Sequence, residues 1–426
     1  MTASFRIAIA GLGTVGGGVV KALSARREEL SRRAGRDLQI VGVSARDPNK
    51  ARGFDVAGWT EDPLNLAKGD ADVVVELIGG DEGIARQLVE TALANRKHVV
   101  TANKALLAKH GQALAELAEK NGVTLKFEAA AAGGIPIVKA LREGLIAQPI
   151  DAVKGILNGT CNYILTEMES TGRSFADVLK EAQAKGYAEA DPTLDIGGGD
   201  TAHKLALLTS VAFGTVPNLD AVAVEGIEHI TADDIAFASE FGFRIKLLGV
   251  ARRLGNTVDQ KVHPAMVRAR SALANVSGAA NGVMVDAAEA GSFFFSGRGA
   301  GEAPTASAVI ADIVEAASGV PSPVFGRPAA SLISLRPADG KAAVSPWYLR
   351  FEVLDVPGVL AAIAGTLAEA GVSIESMIQR GRAPGEPVAI VMITHETVQA
   401  SVERALKAIG ASDKVRARPC MIPMEA

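Results

Sequence analysis

Residues 5–23 read FRIAIAGLGTVGGGVVKAL: a short apolar run, then Gly11, Gly13 and Gly16 in G-x-G-x-x-G spacing, then Val19, Val20 and Leu23 at helical spacing. Few arrangements are open to such a segment. The apolar run suits a buried strand, the glycines a tight turn, and the spaced apolar residues a helix that folds back on the strand. The pattern recurs. Leu38–Asp47 reads as a second strand and Ala71–Gly80 as a third, with Val73, Val74 and Val75 as a continuous apolar run. Ile84–Lys97 reads as a helix, His98–Gly122 as a strand, a charged turn and a helix, and Val123–Gly134 as a further strand. Alternation kept up over roughly 130 residues predicts a doubly wound parallel sheet of Rossmann type.

The glycine loop carries the first functional expectation. Gly11 permits the turn, Gly13 lets a pyrophosphate approach the backbone, and Gly16 lets the helix pack on the strand. Thr14 and Val15 then open the helix, whose free N–H groups favour the anion. At the tip of the second strand stand Arg46 and, just beyond, Lys50, which suit a 2′-phosphate and hence NADP. Asp47 is the competing acid, so NAD stays open. Ligands of such sheets lie beyond the carboxyl ends of the strands, which points Gly79, Thr101 and Lys104 at the nicotinamide.

The length of 426 residues predicts two or three domains. Past Gly134 the pattern changes to strands, turns and helices of an α+β unit. The division read from the sequence is a dinucleotide-binding domain at 1–133 and an α+β domain at 134–320. A Pro-, Gly- and Ser-rich linker at 321–346 and a further compact domain at 347–426 follow. The last of these runs β-α-β-β-α-β, the ferredoxin-like order.

Net charge is −4, and the one basic cluster, Ser24–Arg36, is interrupted by acids, so no nucleic-acid partner is expected. No run of about 18 apolar residues predicts a membrane span, and the N-terminus lacks the pattern of a signal peptide. The two cysteines, Cys161 and Cys420, imply no disulfide framework and fit a reducing cytoplasm.

The second functional expectation comes from GYAEADPTLDIGGGDTAHK, residues 186–204. Glu189, Asp191 and Asp195 precede a glycine triplet, and Asp200 and Lys204 then fall four apart at the start of a helix. That spacing puts them on one face. A solvated surface pair is the plain alternative. Carboxylates converging on a pocket favour a cationic ligand group, and a partly desolvated lysine beside them can protonate an oxygen that becomes an alkoxide. The histidines show no metal-ligand spacing. His203 is read as structural, and Cys161 and Tyr187 are weaker candidates for nucleophile and general acid.

At this point the residues resemble a family: homoserine dehydrogenase of the bacterial type with a C-terminal ACT domain. The carriers are GLGTVG, TANKALLA, FEAAAAGGIPIVKALREGL, GILNGTCNYILTEM, GYAEADPTLDIGGGDTAHKLALL, GAGEAPTASAV and DVPGVLAAIAGTLAEAGVSIESMIQ. The resemblance implies NAD(P)-dependent interconversion of L-homoserine and L-aspartate 4-semialdehyde, within threonine, methionine and isoleucine biosynthesis. By motif position, Lys204 becomes the proton donor. Asp200 and Glu189 bind substrate, with Gly186 and Asp195 nearby. Lys104 lies by the nicotinamide with a possible catalytic share, and Gly301 contacts the cofactor. A sodium ion is implied at Glu128, Ala131, Gly133 and Ile135. The resemblance makes 134–320 the substrate-binding, catalytic and dimerisation domain and 347–426 the regulatory domain of a homo-oligomer, dimer or tetramer, with L-threonine as feedback effector at DVPGVL (Asp355–Leu360). One departure stands out: the family's NGTTNY reads NGTCNY, so Cys161 replaces a threonine, puts a hydroxyl contact in doubt and opens the site to thiol reagents. Two other functions compete. A thioester-forming semialdehyde dehydrogenase needs Cys161 as nucleophile, and a non-catalytic sensor needs only the two ligand sites.

Overall fold

The computed structural model describes residues 4–55, 58–320, 322–380 and 387–425. Five parallel strands, β1 (Phe5–Ala10), β2 (Leu38–Ser44), β3 (Val73–Glu76), β4 (His98–Thr101) and β5 (Leu125–Lys126), lie in the order β2-β1-β3-β4-β5. Helices α1 (Thr14–Ala34), α2 (Leu64–Lys68), α3 (Ile84–Ala94) and α4 (Lys104–Asn121) connect them. The central strands are apolar because both faces are covered: Ile7 and Val73 belong to one buried cluster and Ala8 and Val74 to the other. The strand expected over Val123–Gly134 is only two residues long. Alanine is the best helix former, and Ala129–Ala132 turns into a short helix, α5.

Helix α6 (Ile137–Lys139) and a π-helical turn (Ala140–Gly144) lead into the second unit. Here β6 (Ile150–Ile156), the two-residue β7 (Ala223–Val224), β8 (Phe243–Leu254), β9 (Thr257–Arg268), β10 (Ala280–Ala287) and β11 (Gly291–Arg298) form a mixed sheet. Helices α7 (Gly159–Thr171), α8 (Phe175–Ala184), α9 (Thr193–Ile196), α10 (Gly199–Phe213) and α11 (Ala232–Glu240) follow β6, and α7, α10 and α11 pack on the sheet. Helix α12 (Glu302–Ser318) returns to the first unit. Its Ala306, Val309, Ile310 and Ile313 join the core of Ile7, Val19 and Val75. The packing therefore departs at this helix from the sequence division at 134–320.

The Pro-, Gly- and Ser-rich connection does not hang free. It buries Val324, Phe325, Ala329 and Leu335, and two short strands, β12 (Arg336–Pro337) and β13 (Val344–Ser345), pair with β9 and with β17 (Thr397–Val398). The third unit comprises β14 (Trp347–Leu354), α13 (Val359–Glu369), β15 (Ile374–Gln379), β16 (Pro387–Thr394), α14 (Gln399–Gly410) and β18 (Cys420–Glu425), with sheet order β18-β14-β16-β15. Strand β18 is shared. It runs antiparallel to β14, from Trp347↔Pro423 to Arg350↔Cys420, and parallel to β9 through Met424↔Met266 and Glu425↔Val267. The sheets of the second and third units are thus continuous.

A buried carboxylate fixes this junction. Asp234 of α11 is 0% exposed. It accepts from Tyr348 Oη at 2.9 Å and from Arg350 through Nε at 2.6 Å and a second guanidinium nitrogen at 3.1 Å, all reaching over from β14. It also completes the capping box of α11 with Thr231. Burial alone would lower the Arg350 pKa, but its hydrogen bonds and charge pairing with Asp234 more than reverse that.

Candidate active site

The glycine loop lies where the motif predicts, and its glycines divide by role. A Cβ on Gly16 would come 1.9 Å from the Gly11 carbonyl oxygen, so Gly16 is required for packing. Gly11 has φ +98°, a left-handed conformation that favours glycine. A Cβ on Gly13 would meet no protein atom within 4 Å, although it is the N-cap of α1. Its missing side chain leaves room for something other than the protein. Beside it a groove of about 870 Å³ is lined by Gly11, Gly13, Arg46, Lys50 and Arg52. The Asp47 carboxylate there is turned to the Asn49 N–H at 2.8 Å. Thr14 and Val15 open α1, and Gly301 is the N-cap of α12, with φ +109°.

These observations separate two effects. Gly13→Ala is expected to leave the thermal unfolding midpoint within about 2 °C while weakening dinucleotide affinity tenfold or more. Gly16→Ala drives a methyl into backbone and should destabilise by at least about 1–3 kcal/mol. Thermal melts and cofactor titration of both variants check this. Unchanged affinity in Gly13→Ala would remove the dinucleotide assignment.

At the carboxyl ends of the central strands a buried network fixes the loops. Glu76, at the end of β3, accepts from the Ile78 and Gly79 N–H groups at 2.8 and 3.0 Å and from Thr101 Oγ1 at 2.6 Å. Asn103 caps α4 through the Leu106 N–H at 3.1 Å and donates to the Gly80 carbonyl at 2.7 Å. Lys104 is therefore the first residue of α4, aimed out of the sheet toward the second unit. Sequence reasoning named Gly79, Thr101 and Lys104 but missed Glu76 and Asn103, which set their positions.

Lys104 reaches across the cleft. Its Nζ lies 3.2 Å from Asp200 Oδ1, while Lys204 Nζ donates to Asp200 Oδ2 at 2.7 Å and to the Leu157 carbonyl at 2.7 Å. The Asp200 side chain is only 9% exposed. Burial by itself would raise its pKa. The Lys204 and Lys104 charges and the hydrogen bonds overcome that and hold the carboxyl well below the usual range. Asn158, which the sequence offers only as the start of an Asn-Gly turn, donates to both Asp200 Oδ2 at 2.9 Å and Asp195 Oδ1 at 2.7 Å. Lys104, Asp195, Asp200 and Lys204 thus converge. Glu189 and Gly186 lie on the exposed loop between α8 and α9. Among the described residues no hydrogen bond or ion pair joins the Glu189 carboxylate to the cluster; its carbonyl accepts from Gln183. Tyr187 is stacked on Tyr163, with ring centroids 4.4 Å apart.

Cys161 does not behave as expected. It is 0% exposed. Burial first, then the Asp195 and Asp200 charges, push its thiol pKa well up. A neutral, enclosed thiol is neither a nucleophile nor a target for thiol reagents. It stands in for the threonine hydroxyl, with Sγ donating to the Asp195 carbonyl at 3.2 Å. His203 is partly buried beside the cluster, and burial, then Lys104, lower its pKa.

The residues suggested for a cation are enclosed. Glu128 accepts the Val138 and Lys139 N–H groups at 2.8 Å each. Burial, then the Asp312 carboxylate, push its carboxyl up to about 7. Ala131 is in α5, Gly133 has φ +57° against Gly299, and the Ile135 carbonyl accepts from Ile137 at 2.8 Å. All four positions offer oxygen donors with a lone pair to spare, the donor type that suits a hard, weakly held cation.

Family models described as homoserine dehydrogenase, as the NAD-binding domain of homoserine dehydrogenase, and as ACT domain match residues 136–314, 11–128 and 347–412. The chain is 47% identical to a homoserine dehydrogenase of Neisseria gonorrhoeae, over 99% of this chain and 98% of that protein. It is 44% identical to one of Pseudomonas aeruginosa, over 96% of each. The solved structure of a homoserine dehydrogenase from Thiobacillus denitrificans superposes with a TM-score of 0.93 at 44% identity, covering 99% of this chain and 98% of that one. A hyperthermophilic archaeal homoserine dehydrogenase solved in complex with NADPH superposes with a TM-score of 0.64 at 25% identity, covering 75% of this chain and 99% of that one.

Proposed function

The chain belongs to the homoserine dehydrogenase family and is an NAD(P)-dependent oxidoreductase, and on that premise we propose that Lys204 delivers the proton when L-aspartate 4-semialdehyde is reduced to L-homoserine. The observation that carries this is the corner in which Lys204 stands. An ammonium has three N–H donors. Two are committed, to the Leu157 carbonyl and to Asp200 Oδ2. The third is left for an aldehyde oxygen. NADPH, when bound along the glycine loop, supplies the hydride to the aldehyde carbon. Negative charge then grows on oxygen, and Lys204 and Lys104 oppose it in a partly water-excluded cleft, where such stabilisation is strongest. Asp200 holds both lysines in place and stays ionised throughout the working pH range. Asp195 and Glu189, with Gly186 at the loop's start, are assigned to the substrate's ammonium side. A sodium ion at Glu128, Ala131, Gly133 and Ile135 would brace the crossing between the first two units and takes no part in the chemistry.

NADP is the favoured dinucleotide. Arg46 and Lys50 line the groove, while Asp47 is engaged with the loop backbone. The purified chain is expected to oxidise NADPH on addition of L-aspartate 4-semialdehyde, with kcat/KM higher than for NADH. Absence of turnover with either dinucleotide would leave only a sensor. The thioester alternative is disfavoured by the buried, neutral Cys161.

L-Threonine is the proposed effector, acting at a cavity of about 390 Å³ in the third unit lined by Val353–Leu360, Gln379 and Ile390. Gly358 opens α13 there with φ +91°, and the helix start suits an amino-acid carboxylate. Threonine is expected to slow the reaction, and Gln379→Ala to raise the concentration for half-inhibition about tenfold, or about 1.4 kcal/mol of binding. A rate indifferent to threonine overturns this assignment.

A further inference from the structure

We infer that Asn158 is a positioning residue for proton delivery: its carboxamide locks the Asp200–Lys204 pair and the Asp195 loop to the start of α7. The inference rests on the reading of Lys204 as proton donor and adds to it the part that sets where the donor stands.

The carboxamide has one acceptor and a two-donor amine, and the surroundings dictate which way it faces. Asn158 is the N-cap of α7, so its Oδ1 accepts the Cys161 N–H at 2.8 Å. That leaves Nδ2 pointing away from the helix. It meets Asp195 Oδ1 at 2.7 Å and Asp200 Oδ2 at 2.9 Å. The flipped amide would lose the cap and set oxygen against two carboxylates. Asn158 is 4% exposed, so water is a poor substitute for these bonds.

The preceding residue completes the arrangement. Leu157 offers its carbonyl to Lys204, so adjacent backbone positions hold the lysine by an oxygen and its aspartate by an amine. Asp200 Oδ2 is shared between Asn158 Nδ2 and Lys204 Nζ. Asp195 is gathered by the same helix start, through Asn158, through Thr160 Oγ1 at 3.2 Å and through the Cys161 thiol. Two carboxylates near one another repel, and the bridging amine is what lets both remain close. Without it Asp200 Oδ2 loses the bond that fixes its rotation, and the Lys204 ammonium moves with it. Displacement of a catalytic group by an ångström can cost about a hundredfold in rate.

Two variants separate this role from the cap. Serine caps a helix about as well as asparagine but is too short to reach either carboxylate. Asn158→Ser is therefore expected to fold and to keep the KM for NADPH, while kcat falls about 10- to 100-fold. Aspartate also caps, but it puts a carboxylate where the bridging amine stood. Asn158→Asp is expected to keep the cap and the KM for NADPH and to lower kcat at least as far, because its carboxylate repels Asp195 and Asp200 where the carboxamide held them. An asparagine that served only as the helix cap would leave kcat unchanged in both variants. Asn158→Ser or Asn158→Asp with kcat within twofold of the parent overturns the inference. Lys204→Met serves as the control. If it retains turnover, the proton-donor reading fails whatever Asn158 does. If it is dead while the Asn158 variants behave as the parent, only the present inference fails.

Discussion

Lys204→Met is expected to lower kcat about a thousandfold while NADPH affinity stays within about threefold of the parent. General acid catalysis contributes about 10²- to 10⁴-fold, and a thousandfold corresponds to about 4 kcal/mol of barrier. The upper part of that range applies because the donor is enclosed, with a side chain 14% exposed, so water has little access to replace it. Methionine keeps the apolar stem and removes only the ammonium. The fold should tolerate the change, since Asp200 retains Lys104 and Asn158 as partners. Lys104→Met should have a smaller effect on kcat. Its ammonium, 30% exposed, supports Asp200 and the developing charge from the other unit. Steady-state kinetics with cofactor titration measure both. A Lys204→Met enzyme within tenfold of the parent would move the proton source elsewhere, to Lys104 or to water.

The second large effect concerns stability. Asp234→Ala is expected to cost about 3–5 kcal/mol, the usual consequence of leaving one member of a buried ion pair alone. Arg350 would keep its charge with a side chain only 13% exposed, and Tyr348 would lose its acceptor. Part of the loss would come from the cap of α11 instead of the junction. Thr231→Ala isolates that part, for which about 1 kcal/mol is expected. The difference between the two variants in urea unfolding reports the attachment of the third unit. Asp234→Ala should also blunt the threonine response before it touches the basal rate. An unfolding midpoint matching that of Thr231→Ala would show that the junction contributes nothing.

What could be read from the sequence was what short-range chemistry determines. The glycine spacing, the valine run of β3 and the Asp200–Lys204 spacing each lie within a few residues of chain, where period and turn chemistry act directly. Family resemblance added Gly301 and the cation set, neither of which local pattern would have supplied. The contact of Lys104 with Asp200 depends on how two units close on each other, and no local signal encodes it. Asn158 was hidden differently. Asn-Gly reads as a turn, yet here the asparagine caps a helix, and only the switch from apolar run to helical spacing around it hinted at that role. Val123–Gly134 was read as a strand by its apolar content, but the alanines' helix preference prevailed. The proline-rich connection reads as a linker by composition alone, whereas its scattered apolar residues Val324, Phe325, Ala329 and Leu335 join the main buried core.

Strand β18 constrains how a signal could cross the molecule. Its main-chain bonds grip β14 on one side and β9 on the other. A strand cannot creep along its neighbour by a fraction of its pleat; keeping the same faces requires a jump of two residues, about 6.8 Å. Sliding of the third unit over the second is thereby forbidden at ordinary cost. What remains is torsion: a signal leaving the third unit along the shared ribbon would have to wind it and tilt β9 together with α10, which packs on it, acting as a wrench and not as a piston.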